Sequence, residues 1–438
     1  MGNHVSKGGH RHNPSRSGGN NRNKSKGGYK GKSGGGYKGK SNGGYRGNNS
    51  RSNRGGRGGK KGHGQYIDPS RFVKAAQPVE KIVYESENTF DNFPVHKTLS
   101  RNLRDNNFHK PTKIQDLSLP HSLEGHDVVG LANTGTGKTA AFLLPMLDTL
   151  IMNPKSKSLI IAPTRELAIQ IQQEARMFAK GARLWDILLI GGTPINKQIR
   201  ALGQGPDIII GTPGRIKDLI EKGQLDLSPV SVIALDEVDR MLDMGFINDI
   251  RFILDKVPKE RQSLFFSATM SPTIKELINT FSNNPKTIQA TTAETSDNVE
   301  QSVIHVTDRA EKVNQLHDLL AGEGVEKTIV FCETKHYSNK LSQALNDKGF
   351  KADAIHGNKS QSQRQRALKK FKDGQVDILV ATDVAARGID VDNVSHVINF
   401  DQPHTYDDYT HRIGRTGRGD KTGNAITFVE GKAPASRT

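Results

Sequence analysis

ANTGTGKT, residues 132–139, has the spacing of a loop that binds phosphate, although a strict version of the pattern would have glycine at Ala132. Its glycines let backbone N–H groups surround a phosphate at a helix N-terminus, where Lys138 can reach the terminal phosphates. The apolar run 128–131 precedes the loop and the helical stretch 140–144 follows it. Strand, glycine loop and helix are the context that separates this motif from a chance match.

A second motif, DEVD at residues 236–239, ends another apolar run nearly a hundred residues later. Asp236 is placed to hold Mg²⁺ together with the Thr139 hydroxyl, and Glu237 is placed to orient and polarise a water molecule. A Gly-Lys-Thr sequence alone could be an ordinary helix start, but the acidic motif argues against that interpretation. The two motifs together predict hydrolysis of a nucleoside triphosphate with Mg²⁺ as the metal.

Basic charge is concentrated in the first 64 residues, which hold nine lysines, seven arginines and no acidic residue, or +16 of the chain's +17. A repeat of period eight places Tyr29, Tyr37 and Tyr45 among these cations. The segment has almost no aliphatic surface to bury, so we predict that it is disordered when free. Spaced cations and aromatic rings suit single-stranded RNA, and a solubilising linker without a partner is the alternative.

The cysteine content and the apolar runs limit the class of protein. The chain has one cysteine, Cys332, within an apolar run, which excludes an intramolecular disulfide and favours a reducing, cytoplasmic location. No apolar run approaches the ~18 residues of a membrane span, so no stable membrane association is expected. Residues 1–6, MGNHVS, fit the N-myristoylation pattern, although a segment rich in Gly and Ser matches it easily by chance.

From residue 90 onward, short apolar runs alternate with helical stretches, which is typical of parallel sheets covered by helices on both faces. We therefore predict an α/β protein with two tandem doubly wound parallel-sheet domains. The predicted segments are a disordered tail (1–64), a linker (65–89), a first domain (90–290), a hinge (291–298) and a second domain (299–438). The predicted strands are 128–131, 159–162, 187–190, 208–210, 232–235, 264–266, 287–289, 303–306, 328–332, 352–355, 378–381, 396–399 and 425–429.

The chain from about Phe90 to Val429 resembles the DEAD-box RNA helicases, which have two RecA-like domains. Two positions depart from the family pattern. Val238 replaces the alanine of the tetrad, and Asn107 replaces the glycine that opens the Q motif, although asparagine also tolerates a left-handed backbone. The motifs, in the order of the family, are FHKPTKIQ (108–115), ANTGTGKT (132–139), PTRELA (163–168), GG (191–192), TPGR (212–215), DEVD (236–239), SAT (267–269), VFCET (330–334), QSQR (361–364), TDVAARGID (382–390) and HRIGRTGR (411–418).

The resemblance implies that ATP is the nucleotide, with Gln115 reading the adenine edge and Phe90 packing on the base. If the surrounding motif were ignored, Gln115 would be interpreted as an ordinary surface glutamine. Arg415 and Arg418 could by spacing alone form a solvated basic patch, but the resemblance implies that they are arginine fingers from the second domain. The nucleotide-binding residues that it implies are Phe90, Gln115, Thr134, Gly135, Thr136, Gly137, Lys138, Thr139, Gly388 and Asp390.

The resemblance also implies contacts with the RNA backbone, which bind a strand without reading its sequence. The predicted function is RNA-stimulated ATP hydrolysis by a monomer, coupled to local, non-processive separation of short RNA duplexes or to RNP remodelling. A related DNA helicase and an ATP-regulated RNA clamp or annealing chaperone remain open as alternatives. The implied RNA contacts are Arg165, Gly192, Thr212, Arg215, Thr334, Arg364 and Thr382, and the implied coupling residues are Asp239, Ser267, Thr269 and His411.

Overall fold

The computed structural model describes residues 67–76, 84–133, 135–290, 298–386, 391, 394–417 and 422–431. The predicted basic tail (1–64) and residues 291–297 of the predicted hinge lie outside this part of the chain. Two parallel sheets form its framework, and we call each sheet with its helices a lobe. None of the described helices combines the length and the apolar composition that crossing a bilayer requires.

The first lobe contains a seven-stranded sheet with the strand order β3-β4-β2-β5-β6-β1-β7. Its strands are β1 (Val128–Leu131), β2 (Lys157–Ile161), β3 (Asp186–Leu189), β4 (Ile208–Gly211), β5 (Val230–Leu235), β6 (Gln262–Ser267) and β7 (Lys286–Gln289). Its helices are α1 (Lys97–Asp105), α2 (Lys113–Leu123), α3 (Lys138–Met152), α4 (Arg165–Phe178), α5 (Ile195–Leu202), α6 (Pro213–Glu221), α7 (Val238–Asp243), α8 (Ile247–Leu254) and α9 (Pro272–Phe281), with a 3₁₀ turn at Phe90–Asn92.

The second lobe contains a six-stranded sheet with the strand order β10-β11-β9-β12-β13-β8. Its strands are β8 (Val299–Val306), β9 (Lys327–Phe331), β10 (Ala352–Ile355), β11 (Ile378–Ala381), β12 (Val394–Asn399) and β13 (Gly423–Glu430). Its helices are α10 (Arg309–Leu320), α11 (Lys335–Asp347), α12 (Gln361–Lys372), α13 (Asp383–Ala386) and α14 (Tyr406–Ile413).

Both sheets have an apolar core on each face. Residues that alternate along one strand enter different cores: Leu159 and Ile161 pack on one side of β2, and Ile160 packs on the other. Burial on both faces explains why the strands are continuous apolar runs in the sequence. All thirteen predicted strands are present, and the largest difference in bounds is the start of β8, at Val299 rather than Val303. The predicted fold class is therefore confirmed.

The strand order brings the two sequence motifs together. β6 lies between β1 and β5, so the three strands end at the same edge of the sheet. The phosphate loop follows β1 and Asp236 follows β5, while the Ala132 N–H donates to the Ser267 carbonyl at 3.0 Å. In open parallel sheets this carboxyl edge is where ligands bind.

Residues 67–76, which we call the strap, precede the first lobe in the chain but pack on the second. A 3₁₀ turn at Pro69–Phe72 begins after Asp68, whose side chain accepts a hydrogen bond from the Ser70 N–H at 2.9 Å. Lys74 then pairs antiparallel with Gln301 on β8. The strap thereby covers part of an edge strand, the position in a sheet where backbone groups otherwise lack partners.

Candidate active site

The phosphate loop turns sharply into α3. Gly137 has φ +91°, a conformation that favours glycine, and a Cβ at this position would collide with the Gln115 side chain. The buried Lys138 ammonium donates to the Ala132 carbonyl at 3.0 Å, and the Thr136 hydroxyl donates to the Asn133 carbonyl at 2.8 Å. Side chains of the loop therefore donate hydrogen bonds to the loop's own backbone. Thr134 lies outside the described residues.

Gln115 connects the start of α2 with the phosphate loop. Its Oε1 accepts from the Thr112 N–H at 2.9 Å, which completes a capping box, and its Nε2 donates to the Gly137 carbonyl at 2.9 Å. The side chain is only 2% exposed. Gln115 is therefore held against the loop, and the reading of an adenine edge by its remaining hydrogen-bonding capacity stays a prediction.

The aromatic wall of the cleft is formed by a residue to which the sequence analysis gave no role. Phe108 lines the cleft, whereas Phe90 is 4% exposed and packs behind it, edge to face, with the ring centroids 6.1 Å apart. Asn107, which precedes Phe108, has φ +61°, the left-handed conformation expected for the residue at this position. Phe108 therefore lines the cleft and Phe90 does not, while the packing of Phe90 on the base stays a prediction.

The acidic pair lies at the floor of the cleft. Burial raises the pKa of Asp236 to about 7, opposed by the nearby Lys138 ammonium and reinforced by the Glu237 carboxylate. Glu237 has φ +52° and ψ +54° at the start of α7, a strained backbone for a non-glycine residue. Its Oε2 is buried 3.5 Å from Nε of Arg240, without a hydrogen bond from any described residue. A strained, under-bonded buried carboxylate is typical of a functional group.

Both lobes contribute to one cleft of about 290 Å³. Arg415, which follows α14 in the second lobe, lines it together with first-lobe residues. Gly388, Asp390 and Arg418 lie outside the described residues. The cleft also includes Leu167 of the PTRELA motif and, further along α4, Gln170 and Glu174, which belong to none of the motifs. Of the predicted residues, it is lined by Gln115, Gly135, Gly137, Lys138, Thr139, Asp236, Glu237 and Arg415.

The residues predicted to couple nucleotide to RNA form a compact hydrogen-bonded cluster. Asp239 Oδ2 accepts from the backbone N–H groups of Ala268 and Thr269 at 2.9 and 3.0 Å. The Asp239 N–H in turn donates to the Ser267 hydroxyl at 3.3 Å. The acidic motif after β5 is thereby fixed to the loop after β6. The position of this loop thus depends on the acidic motif.

His411 of the second lobe lies near this cluster, and its buried Nδ1 has no hydrogen-bond partner among the described residues. Burial lowers its pKa to about 4, and the Arg240 and Arg415 guanidinium groups lower it further while Asp239 and Glu237 oppose them. The imidazole is therefore neutral at physiological pH. Its neighbour Arg412 is anchored by a bidentate ion pair with Asp383, at 2.6 and 2.8 Å. No role was predicted for Arg412, whose ion pair with Asp383 links α14 to the start of α13.

Four predicted RNA-contacting residues belong to the first lobe. The Arg165 guanidinium packs against Gly192, which has φ +78°, so a Cβ there would collide with it. The Arg215 guanidinium donates to the Thr193 carbonyl at 3.1 Å and to Gln198 Oε1 at 2.9 Å. Burial, assisted by the Arg165 charge, lowers the pKa of Arg215. Thr212 is the N-cap residue of α6, which carries Arg215.

Arg364, a predicted RNA contact in the second lobe, forms an ion pair across the two lobes. Its Nη2 donates to Glu166 Oε2 at 2.7 Å, and Gln361 Nε2 donates to Glu166 Oε1 at 3.0 Å. Arg364 Nε and Gln361 Oε1 remain buried without a hydrogen-bond partner among the described residues. The remaining predicted contacts, Thr334 at the N-cap of α11 and Thr382 after β11, lie at the carboxyl ends of β9 and β11.

Comparisons with known proteins agree with this arrangement. The family model described as DEAD/DEAH box helicase matches residues 112–277, and the helicase conserved C-terminal domain model matches 311–420. The DEAD-box ATP-dependent RNA helicase CshA of Bacillus licheniformis is 45% identical over 345 residues, which cover 78% of this chain and 70% of that protein.

Solved structures are similar over much of the chain. Saccharomyces cerevisiae Dbp5 bound to RNA and ADP BeF3 has 31% identity and a TM-score of 0.69, covering 78% of this chain and 90% of that one. A Dbp5 variant bound to a Gle1 variant and IP6 has 30% identity and a TM-score of 0.63, covering 80% and 90%. The fold is therefore that of a two-lobed helicase core.

Proposed function

Because the chain belongs to the DEAD-box helicase family, we propose that it is an RNA-stimulated ATPase that locally separates short RNA duplexes or remodels RNP. The observation that carries the proposal is the cleft to which both lobes contribute, with Lys138 and Glu237 from the first and Arg415 from the second. A split site works only when the lobes are assembled, and RNA that binds both lobes favours that assembly. We also propose that it acts in the cytoplasm, since the lone, buried Cys332 fits a reducing compartment.

Positioning and charge stabilisation are the main tasks of a protein in phosphoryl transfer. We assign Lys138 to the terminal phosphates, since its ammonium lies at the base of the loop and can exchange the Ala132 carbonyl for phosphate oxygens. Glu237, which lines the cleft, orients the attacking water with its carboxylate. Arg415 supplies positive charge to the transition state from the opposite lobe.

The acidic end of the cleft fits a divalent cation. Asp236 is a buried carboxyl whose pKa is raised chiefly by burial, and it lines the same cleft as Thr139. Among the described residues, no group of three or more His, Cys, Asp or Glu side chains is placed to hold a metal alone. This agrees with Mg²⁺, which usually keeps waters and phosphate oxygens as ligands. Asp236 and Thr139 would hold the ion, and it would neutralise charge on the phosphates.

RNA binding is proposed along the edge that joins Arg165, Gly192 and Arg215 to Arg364. Arg165 contributes to the lowered pKa of both Arg215 and Arg364, for each of which burial is the larger cause. Cations brought this close together repel one another, and a phosphate between them would relieve the repulsion. Contacts of this kind position a strand without specifying its sequence.

We expect hydrolysis to be faster with ATP than with GTP, and faster with RNA than without it. The first expectation follows from the buried Gln115 beside the cleft, and the second from the split between the lobes. Turnover of each nucleotide should be measured with and without RNA, and with DNA of the same sequence. Equal rates with ATP and GTP would contradict the role of Gln115 in recognising the base. An absence of RNA stimulation would contradict the proposed function.

The alternatives make different predictions in the same assay. A DNA helicase would be stimulated by DNA at least as strongly as by RNA. A clamp or annealing chaperone would increase the rate of strand annealing, and ATP would change the lifetime of the RNA complex without separating a short duplex. Rates of unwinding and annealing should therefore be compared at several ATP concentrations.

Deleting residues 1–64 is expected to weaken RNA binding and to reduce its salt dependence. These residues carry +16 while the remaining chain is near neutral. For single strands, log affinity falls with log salt by ~0.7 per phosphate neutralised, so losing cations flattens the slope. As the control, replacing Tyr29, Tyr37 and Tyr45 by alanine should lower the affinity but keep the slope, because stacking releases no counterions. An unchanged slope after deletion would mean that the tail does not bind RNA.

A further inference from the structure

The strap packs against the helix that leads to the transition-state arginine. The Phe72 ring lies 4.7 Å from the Tyr409 ring, and the Arg71 guanidinium lies 3.9 Å from the centre of the Tyr406 ring. Tyr406 and Tyr409 are both on α14, which also carries His411. The strap therefore contacts α14 through side chains, although more than 330 residues of sequence separate them.

These contacts lie on the side of α14 that faces away from the cleft. Successive residues in a helix are about 100° apart, so Tyr409 and His411 project in nearly opposite directions. The strap consequently packs on one side of α14, while His411 faces Arg240 and Asp239 of the first lobe on the other. The contacts with the strap therefore restrict rotation and translation of α14.

A hydrogen-bond network fixes the strap itself. The backbone of Lys74 exchanges two hydrogen bonds with Gln301, at 3.0 and 2.8 Å. The Gln301 side chain accepts from the Tyr409 hydroxyl at 2.9 Å. Phe72 and Tyr409 are both fully buried, in a separate apolar cluster that also contains Ile67, Val299, Ile413 and Ala425. A movement of the strap would therefore displace Tyr409.

The chain that follows the strap is anchored to the opposite half of the cleft. Tyr84, Ser86 and Asn88 donate hydrogen bonds to the Asp116 carboxylate, at 2.5, 2.6 and 2.8 Å. Asp116 is adjacent to Gln115 on α2, which contacts the phosphate loop. The described segments on either side of residues 77–83 thus contact α14 of the second lobe and α2 of the first.

We propose that Phe72 and Arg71 are positioning residues for α14, through which they align Arg415 with the reacting phosphate. The inference deepens the proposed function and rests on it. Phe72 touches no group that we place in the reaction, so it acts only through the helix. Loss of its ring should therefore reduce the rate of the chemical step and leave the binding of ATP largely intact.

The test compares kcat and KM for ATP, at saturating RNA, in full-length wild type, Phe72→Ala and Phe72→Leu. We expect kcat to fall about tenfold in Phe72→Ala, with KM for ATP within about twofold, because misplacing a catalytic group slows the reaction. The leucine should restore much of the rate by refilling the cluster. Val73→Ala is the matched control, since Val73 is the next residue in the chain and is 60% exposed.

Two further measurements separate positioning from a general loss of stability. In an Arg415→Ala background, Phe72→Ala should have little additional effect on kcat, because both changes remove the same interaction. Arg71→Ala should lower kcat in the same direction with less risk to folding. Equal kcat in wild type and Phe72→Ala, or an additive effect of Phe72→Ala in the Arg415→Ala background, would overturn the proposal.

Hydrogen exchange of α14 tests the strap independently of hydrolysis. Peptides that contain residues 406–413 should exchange faster in Phe72→Ala than in wild type, and should be unchanged in Val73→Ala. Exchange unaltered by Phe72→Ala would refute the positioning role even in a fully active enzyme. A wild-type chain without RNA-stimulated hydrolysis, but with this exchange difference, would instead refute the proposed function and leave the contact between the strap and α14 supported.

Discussion

Replacing Arg415 by alanine is expected to lower kcat for ATP hydrolysis by roughly 10³-fold, the lower end of the range for arginine fingers. Arg415 lines the cleft from the second lobe and is 4% exposed, so its charge acts in a poorly solvated environment. KM for ATP should change far less, because Gln115, Lys138 and Thr139 remain in the first lobe. Steady-state hydrolysis at saturating RNA, with ATP binding measured separately, gives both quantities.

Arg415→Lys is the matched control, since it keeps the charge but loses the planar fork of donors. We expect an intermediate rate from the lysine variant. A variant that loses affinity for ATP but keeps the wild-type kcat would contradict the role of Arg415 in the transition state. His411, which lies close to Arg415, is neutral because burial and the Arg240 charge lower its pKa, so titration of His411 should not alter this comparison above about pH 5.

The fold was predictable because the dominant signal is local. A parallel strand buried on both faces is a short run of apolar residues, and such runs need no knowledge of their partners. The phosphate loop and the acidic motif were likewise predictable, since each follows such a run. Their convergence at the edge of the first sheet depends on strand order, with β6 between β1 and β5, and no strand order was predicted.

The features that could not be predicted depend on contacts between residues that are far apart in the sequence. The strap was assigned to a linker because the short stretch around Phe72 has no apolar periodicity, and its partner Tyr409 lies in the other lobe. The ion pair of Glu166 with Arg364 similarly requires both lobes to be in place. Phe90 and Phe108 are both aromatic, and only their packing shows that Phe108 lines the cleft.

Replacing Glu237 by glutamine is expected to reduce ATP turnover by roughly 10³-fold, within the range for general acid–base groups. The amide has nearly the same size and should fit the same buried position, but it cannot polarise a water molecule as the carboxylate does. ATP affinity should be retained or increased, because the carboxylate that repels the phosphates is gone. Single-turnover release of phosphate at saturating RNA measures the chemical step directly.

The same variant also tests the coupling between ATP and RNA. If hydrolysis resets the assembled lobes, blocking it should prolong the RNA complex formed with ATP, while the complex formed without nucleotide should keep its wild-type lifetime. Glu237→Gln leaves the Asp239 carboxylate and its hydrogen bonds to the Ala268 and Thr269 N–H groups intact. The predicted coupling residues therefore keep their contacts. Wild-type turnover in Glu237→Gln would show that another group activates the water. An unchanged lifetime of the RNA complex formed with ATP would show that hydrolysis does not release the RNA.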